Sequence, residues 1–294
     1  KLELLSESYR ITMKGGMTQS FSRNAAVAPA GAITEIAEPH GERILFSYSG
    51  GRLSSVSTAL AGEVTLGRNE DGLVTTLTRV RDGLVYRFTY NADGRMESET
   101  DPANRTTRYE YDSSGRLSAI IDSLGRTETF AYDSEGRMDH QTEFGGAYRG
   151  FRYEIEGDGS RITWVRETDG RTTEYFFDSS LRLVKKVSPD GGVEEFTNDE
   201  NYEVIEKKDP LGQVTRYAYD EDGNRVSVRN PLDPSPTRMT YDPRFDVLTG
   251  IVPITGAQTE ISIDPETGDS LSISRVTEEK TLSLGLKNDS FGNV

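Results

Sequence analysis

The stretch Thr106-Thr107-Arg108-Tyr109-Glu110-Tyr111-Asp112-Ser113-Ser114-Gly115-Arg116-Leu117-Ser118-Ala119-Ile120-Ile121-Asp122-Ser123-Leu124-Gly125-Arg126 decides the fold. Thr107, Tyr109 and Tyr111 alternate with Arg108 and Glu110, the period of two that marks a strand. Leu117, Ala119 and Ile121 alternate with Ser118 and Ile120 and predict a second strand. Asp112 to Gly115 and Asp122 to Gly125 are both Asp-x-x-Gly turns. Asp at the first position bonds its side chain to the backbone two residues on. Gly at the fourth accepts φ > 0, as a type I turn followed by a G1 bulge demands. The unit from Thr106 to Arg126 therefore holds two strands and two tight turns.

The same register extends in both directions. Phe88, Tyr109, Phe130, Phe151, Tyr175, Phe196 and Tyr217 recur at a constant 21-residue step, lengthened by three only between Phe151 and Tyr175. Two residues on, Tyr90, Tyr111, Tyr132, Tyr153, Phe177, Asn198 and Tyr219 keep the same steps. A turn column runs Asn104, Gly125, Gly146, Gly170, Gly191, Gly212, and Asn is the residue that best tolerates φ > 0 after Gly. A fourth column, Gly94, Gly115, Gly136, lapses at Leu181 and Tyr202 and returns at Gly223, which predicts a different turn at the two lapses. The extra three residues fall around Glu156-Gly157-Asp158-Gly159 and read as a lengthened turn.

Consecutive strands joined by tight turns pair as an antiparallel meander. The regular region supplies more than a dozen strands, and an open twisted sheet rarely exceeds about 10 without curling. The predicted fold is thus all-β: an antiparallel meander of 21-residue hairpin repeats, coiled into a spiral or wide barrel-like shell. Its aromatic columns would form stripes in which each Tyr stacks on cross-strand neighbours. Two units together have the size of a propeller blade, but blades would make alternate units differ, and here every unit carries the same pattern. The array covers residues 40–294, most regular over 86–225 and looser over 226–294, where Pro231, Pro234 and Pro236 mark a connector. Residues 1–39 read as an irregular N-terminal segment, no domain boundary is evident, and the chain reads as part of a longer one.

Composition agrees with a thin sheet. Only 34% of the 294 residues are hydrophobic, with 29 Gly and one Trp, against roughly 45–50% apolar with Gly counted in a typical domain. The net charge of −15 disfavours nucleic acid and anionic lipid as partners. The absence of Cys excludes disulfides and thiolate chemistry. No apolar run is long enough for a membrane-spanning helix, so membrane insertion is not expected.

Tyr109-Glu110-Tyr111-Asp112-Ser113-Ser114-Gly115-Arg116-Leu117 resembles the YD or Rhs repeat, as do Asp209-Pro210-Leu211-Gly212-Gln213-Val214-Thr215-Arg216-Tyr217-Ala218-Tyr219-Asp220 and Tyr241-Asp242-Pro243-Arg244-Phe245. The family includes bacterial Rhs and contact-dependent toxins, cocoon subunits of insecticidal toxin complexes, and teneurins. The resemblance implies a secreted or cell-surface protein, bacterial in the toxin case. Its repeats would enclose a polypeptide (a toxin domain or the rest of the same chain), or would serve adhesion by binding carbohydrate or protein at a cell surface. Toxin shells end in a self-cleaving core with two closely spaced Asp-Pro-x-Gly motifs. Asp209-Pro210-Leu211-Gly212 matches one, but Pro231-Leu232-Asp233-Pro234 stands where the second would be, and Asp264-Pro265-Glu266-Thr267 has Thr in place of Gly.

No catalytic, cofactor or metal residue is assigned. His40 and His140 lack catalytic or zinc spacing and read as turn or surface residues. Most Asp residues open turns, which leaves little for a glycosidase-like carboxylate pair. Asp220-Glu221-Asp222-Gly223-Asn224 lacks the late Glu of a calcium loop and reads as a turn. The Arg row 95, 116, 126, 137 and 171 reads as a cross-strand ladder with Asp and Glu, or as a carbohydrate- or carboxylate-binding row. Asn104-Arg105-Thr106 and Asn288-Asp289-Ser290 are glycosylation sequons, meaningful only in a eukaryotic secretory host. The expected protein is a non-catalytic structural shell segment, with the adhesion module as the alternative.

Overall fold

A computed structural model describes residues 1–277 and 279–287; the second sequon lies outside them. Among the described residues the secondary structure is strands and turns, 27 strands in all, with no helix. The chain divides into two compact units, one of residues 1–89, 100–104 and 238–294, the other of residues 90–99 and 105–237. That division, unmarked in the repeat pattern, differs from the undivided array expected.

In the second unit, twelve successive strands from Thr106–Tyr111 to Arg225–Arg229 pair antiparallel, each with its neighbours in sequence. A ladder this long has no break into four-stranded blades, which disposes of the propeller. The first unit carries a second meander, from Leu2–Leu4 to Leu84–Tyr90, and a third from Thr237–Tyr241 to Thr281–Gly285. Residues 1–39, irregular by sequence, hold the strands Leu2–Leu4, Ser8–Thr12, Thr18–Ser22 and Ile33–Ala37 in this ladder. Their period-two signal is weak because Ser and Thr occupy positions that Tyr and Phe fill elsewhere.

The Asp-x-x-Gly turn has the predicted geometry. Gly115 N–H donates to the Asp112 carbonyl (2.9 Å), and Asp112 N–H to the Arg116 carbonyl (2.8 Å). Asp112 Oδ1 accepts from the backbone N–H of Ser114 and of Arg116, both at 2.9 Å. The pairing slips by one residue at Tyr111, and again at Tyr132, Phe177, Asn198 and Tyr219. The slip changes one reading: Ile120, not Ile121, is the partner of Tyr109, and Leu117 is the partner of Tyr111.

Leu181 and Tyr202 do not mark the different turn that the sequence predicts. They adopt the same one, at φ 66° and 69°, with Leu181 N–H donating to the Asp178 carbonyl at 2.9 Å. The Asp178 side chain caps this turn as Asp112 caps its own, accepting from Ser180 and Arg182 N–H. The first Asp thus dictates the turn, and a side chain is tolerated in the left-handed region at a cost of roughly 1–2 kcal/mol. The lengthened hairpin, Tyr148–Ile155 with Arg161–Glu167, pairs without a slip over seven residue pairs. The turn itself is not lengthened as expected: Gly159 N–H donates to the Glu156 carbonyl (2.9 Å) and Glu156 N–H to the Ser160 carbonyl (2.9 Å), as at Asp112–Gly115, so the insertion lengthens the strands alone.

The sheet has almost no core. Among the described residues the buried apolar side chains are Ala28 and Ala119, and no large side chain is fully buried. A single layer covers each row only by its neighbours in the same sheet, so most of the aromatic positions stay half-buried.

These turns set a stability test. Leu181→Gly relieves the left-handed strain and should stabilise by about 1 kcal/mol. At Gly125 the space a Cβ would occupy is open, so Gly125→Val should cost about 1–2 kcal/mol, from backbone strain alone, and Gly125→Asn much less. Thermal melts showing equal losses for Val and Asn at 125 would contradict the assignment.

Candidate functional surface

Tyr109 and Tyr111 lie on one face of their strand, with Arg108 and Glu110 on the other, so the two aromatic columns share a face. Rings of successive units are two strands apart, about 9–10 Å. That exceeds the roughly 4.5–7 Å at which rings pair. The expected Tyr-on-Tyr stripe therefore does not form, and arginine fills the gap. The Arg95 guanidinium lies 5.8 Å from the Tyr111 ring centroid, Arg116 lies 4.5 Å from Tyr132, and Arg137 lies 4.7 Å from Tyr153. Each Arg follows the turn of one unit and reaches the tyrosine of the next.

A hydrogen bond completes the contact. Tyr132 Oη donates to the Leu117 carbonyl (2.9 Å), Tyr111 to Met96 (2.7 Å), Tyr219 to Val204 (3.1 Å) and Tyr48 to Ile33 (2.7 Å), always 15 residues back. Asn198, the non-aromatic member of the column, does the same: its Nδ2 donates to the Leu183 carbonyl at 2.8 Å, again 15 back. Each of these donors reaches the preceding unit; Phe177, which has none, keeps only the ring. Burial pushes the Tyr153 and Tyr219 phenols above their usual range, which keeps Tyr219 a neutral donor.

The Arg row is not the cross-strand ladder expected. Arg116 Nε donates to Asp112 Oδ2 (2.8 Å), Arg137 to Asp133 (2.8 Å), Arg126 to Asp122 (2.6 Å) and Arg182 to Asp178 (2.7 Å), each within its own turn. Arg95 and Arg171 pair with Asp93 (2.7 Å) and Asp169 (2.5 Å), two residues back. Cross-strand ion pairs exist elsewhere, as in Lys186 with Glu194 (3.1 Å) and Arg216 with Glu206 (3.0 Å). Gly115 has a second role that the turn pattern did not disclose. A Cβ there would collide with the Arg95 guanidinium, so any side chain at 115, Asn included, displaces the neighbouring clasp.

The other candidates take structural places. Asp209 Oδ1 accepts from the N–H of Leu211 (2.9 Å) and Gln213 (2.8 Å), and Asp264 Oδ1 from Glu266 (2.7 Å) and Thr267 (3.0 Å). Asp220 caps Asp222 and Asn224. Asn104 sits in a turn at φ 60°. His140 pairs with Asp139 (2.8 Å) and stacks on Tyr148 at 5.6 Å. His40, for which the sequence suggests no partner, lies 2.6 Å from Asp269, 229 residues on, in the first unit. Gly15 N–H donates to the Arg244 carbonyl (2.7 Å) and Lys14 pairs with Asp246 (2.9 Å), so within that unit the turns at 14–15 and 244–246 meet. Pairs so far apart leave no local sequence signal. Among the described residues no group of three His, Asp or Glu is placed to hold a metal ion.

The geometry defines a class: a single-layer antiparallel sheet built by hairpin repeats clasped one to the next. The RHS Repeat family model matches residues 68–106, 90–127, 111–147 and 203–234, so these stretches of the chain are similar to RHS repeats. Comparison with curated proteins returned no match. Among solved structures, the chain is similar to a crystal structure of TcdB2-TccC3-Cdc42 (TM-score 0.64, 14% identity) and to one of TcdB2-TccC3 (0.61, 13%). It is also similar to the Tc holotoxin pore of Photorhabdus luminescens (0.59, 13%). These alignments cover 96%, 97% and 96% of this chain, and show the fold. The chain spans only 18%, 20% and 19% of those chains.

Two tests follow from the clasp. Tyr132→Phe removes the bond to Leu117 while keeping the ring, and should cost about 1 kcal/mol in a thermal or urea melt; no change would show that the bond contributes nothing. The second concerns pH. The backbone N–H of Arg116 donates to Asp112 and, against the cost of desolvation, the Arg116 guanidinium adds to it; the carboxyl is held below its usual range. Asp178 is lowered in the same way by Arg182. Groups lowered on folding contribute stability above their unfolded value, about 3.9, and lose it as pH falls through the folded one. Melting temperature should fall below about pH 4, and less steeply in Asp112→Asn/Asp178→Asn. An equal slope in that variant would contradict the assignment.

Proposed function

We propose that this chain is a wall segment of a larger secreted shell of RHS repeats, enclosing and presenting a toxin or effector polypeptide and itself non-catalytic. The observation that carries the reading is a repeat sheet one layer thick, with no large buried side chain among the described residues. Such a sheet stabilises itself strand by strand and needs no second layer, which suits a wall. The fold likeness to TcdB2-TccC3, with this chain covering no more than a fifth of that chain, supports the same reading. The carboxylates support absence of catalysis, since Asp112, Asp133, Asp178, Asp209 and Asp264 are all engaged in turns.

The reading is tested on the complete gene product. Under native conditions, added protease should leave the repeats and a non-repeat polypeptide intact, and the latter should become digestible once denaturant opens the repeats. Native digestion of all sequence outside the repeats would overturn it.

A further inference from the structure

One junction of the second unit carries the clasp with its charge reversed. The residue that follows the turn is arginine at 95, 116, 137 and 182, but glutamate at 203. The turn before Glu203 is the ordinary one: its N–H donates to Asp199 Oδ1 at 3.0 Å, as that of Arg116 does to Asp112 at 2.9 Å. The side chain also takes the usual course toward the next unit. A Cβ at Gly223 would stand 3.0 Å from Glu203 Oε1, just as one at Gly136 would stand 3.6 Å from Arg116 Nη1. Glu203 thus fills the arginine's place with a carboxylate.

An arginine there would neutralise the turn Asp and be drawn to the face of the next tyrosine; a carboxylate does neither. Glu203 is half-buried between Asp199 of its own turn and Asp220 of the next. This burial, with the two carboxylates, holds its carboxyl above the usual range. The other acids of the two turns, Glu200, Glu221 and Asp222, are exposed and add only negative charge. The cations nearby serve other groups. Arg182 bonds Asp178 (2.7 Å) and the Asp199 carbonyl (3.2 Å), Arg225 lies 5.7 Å from the Tyr217 ring centroid, Arg216 pairs with Glu206 (3.0 Å), and Lys208 pairs with Glu195 (2.9 Å). The junction is correspondingly loose. Tyr202 N–H reaches the Asp199 carbonyl at 3.3 Å and Gly223 N–H the Asp220 carbonyl at 3.2 Å, against 2.9 Å at Gly115 and 3.0 Å at Gly136. Tyr219 Oη stands 3.1 Å from the Val204 carbonyl, against 2.7 Å for Tyr111 and 2.9 Å for Tyr132 with theirs.

A carboxyl raised on folding opposes folding while it is ionised. The opposition vanishes as pH falls through the folded value and the proton is taken up. The sign is opposite to that of Asp112 and Asp178, which are lowered and lose their contribution in acid.

We propose that the junction at Glu203 is a built-in joint of the sheet, where neighbouring repeats part most readily at neutral pH and close on acidification. The inference stands independently of whether the repeats enclose a polypeptide. Hydrogen exchange read by mass spectrometry, corrected for the intrinsic rate at each pH, tests it on the whole chain. At pH 7 residues 199–224 should be less protected than residues 112–137. Glu203→Gln should raise protection over 199–224 about threefold or more at pH 7, and leave it nearly unchanged at pH 4, where the native carboxyl is itself neutral. Glu203→Arg, which restores the clasp, should raise it at both. Glu110→Gln, the same charge change at an exposed position of an arginine-clasped unit, should change neither region. Circular dichroism should show all three variants folded. A gain from Glu203→Gln that is equal at both pH values would give the side chain a packing role only and overturn the proposal, as would no gain at pH 7 or an equal gain from Glu110→Gln.

Discussion

The structure depends on the clasp between consecutive units: an arginine anchored by the Asp of its own turn, laid over the tyrosine of the next unit, whose hydroxyl bonds back to the strand beside that arginine. Asp112, Arg116, Tyr132 and the Leu117 carbonyl form one such set at 2.8 Å, 4.5 Å and 2.9 Å. In a single-layer sheet no second layer removes apolar area from water, so little of the usual burial term is available. Backbone ladders hold neighbouring strands but are indifferent to sliding by two residues. The clasp is not indifferent, because it fixes a side chain of one unit to a backbone atom of the previous one. It therefore supplies the register that a packed core would otherwise impose.

The clasp also accounts for the residue choice in each column. Tyr is needed for its ring and its donor, and Asn198 shows that the donor alone suffices for the carbonyl contact. Arg is needed because a planar guanidinium can lie on a ring while its Nε–H bonds a carboxylate. Glycine after the turn serves conformation everywhere, and at Gly115 it also leaves room for Arg95. Leu181 and Tyr202 show which requirement is softer. With the Asp cap in place, the left-handed conformation accepts a side chain at a strain cost that the turn's hydrogen bonds offset.

Much of this was legible in the residues, because a repeat shows its constraints many times over. Two columns of aromatics and two of turn residues predict strand, turn and meander from Thr106 to Arg126 outward. The role of arginine was not legible. A ladder and a clasp use the same residue at the same spacing, and only the separation of alternate strands, about 9–10 Å, decides between them. The bulge at Tyr111 moved Ile120 onto the aromatic face for a related reason: a one-residue slip is invisible to a period-two count. His40 with Asp269, and Lys14 with Asp246, join repeats from opposite ends of the sequence and have no periodic signature at all.

The hairpin at 148–167 departs from the repeat in both respects, and the two departures have one origin. Three added residues let its strands pair in full register without the bulge, over seven pairs. Without the bulge, the side facing away from the aromatic columns runs uninterrupted through Tyr148, Gly150 and Arg152 against Trp164 and Arg166. Elsewhere the arginine that follows a turn is committed to its Asp and to the next tyrosine. Here Arg152 lies in a strand and takes other partners, the Trp164 ring at 3.8 Å from its centroid and Glu154 at 3.7 Å. A repeat under uniform constraint has no spare side chains, and new chemistry can enter only where the period is broken.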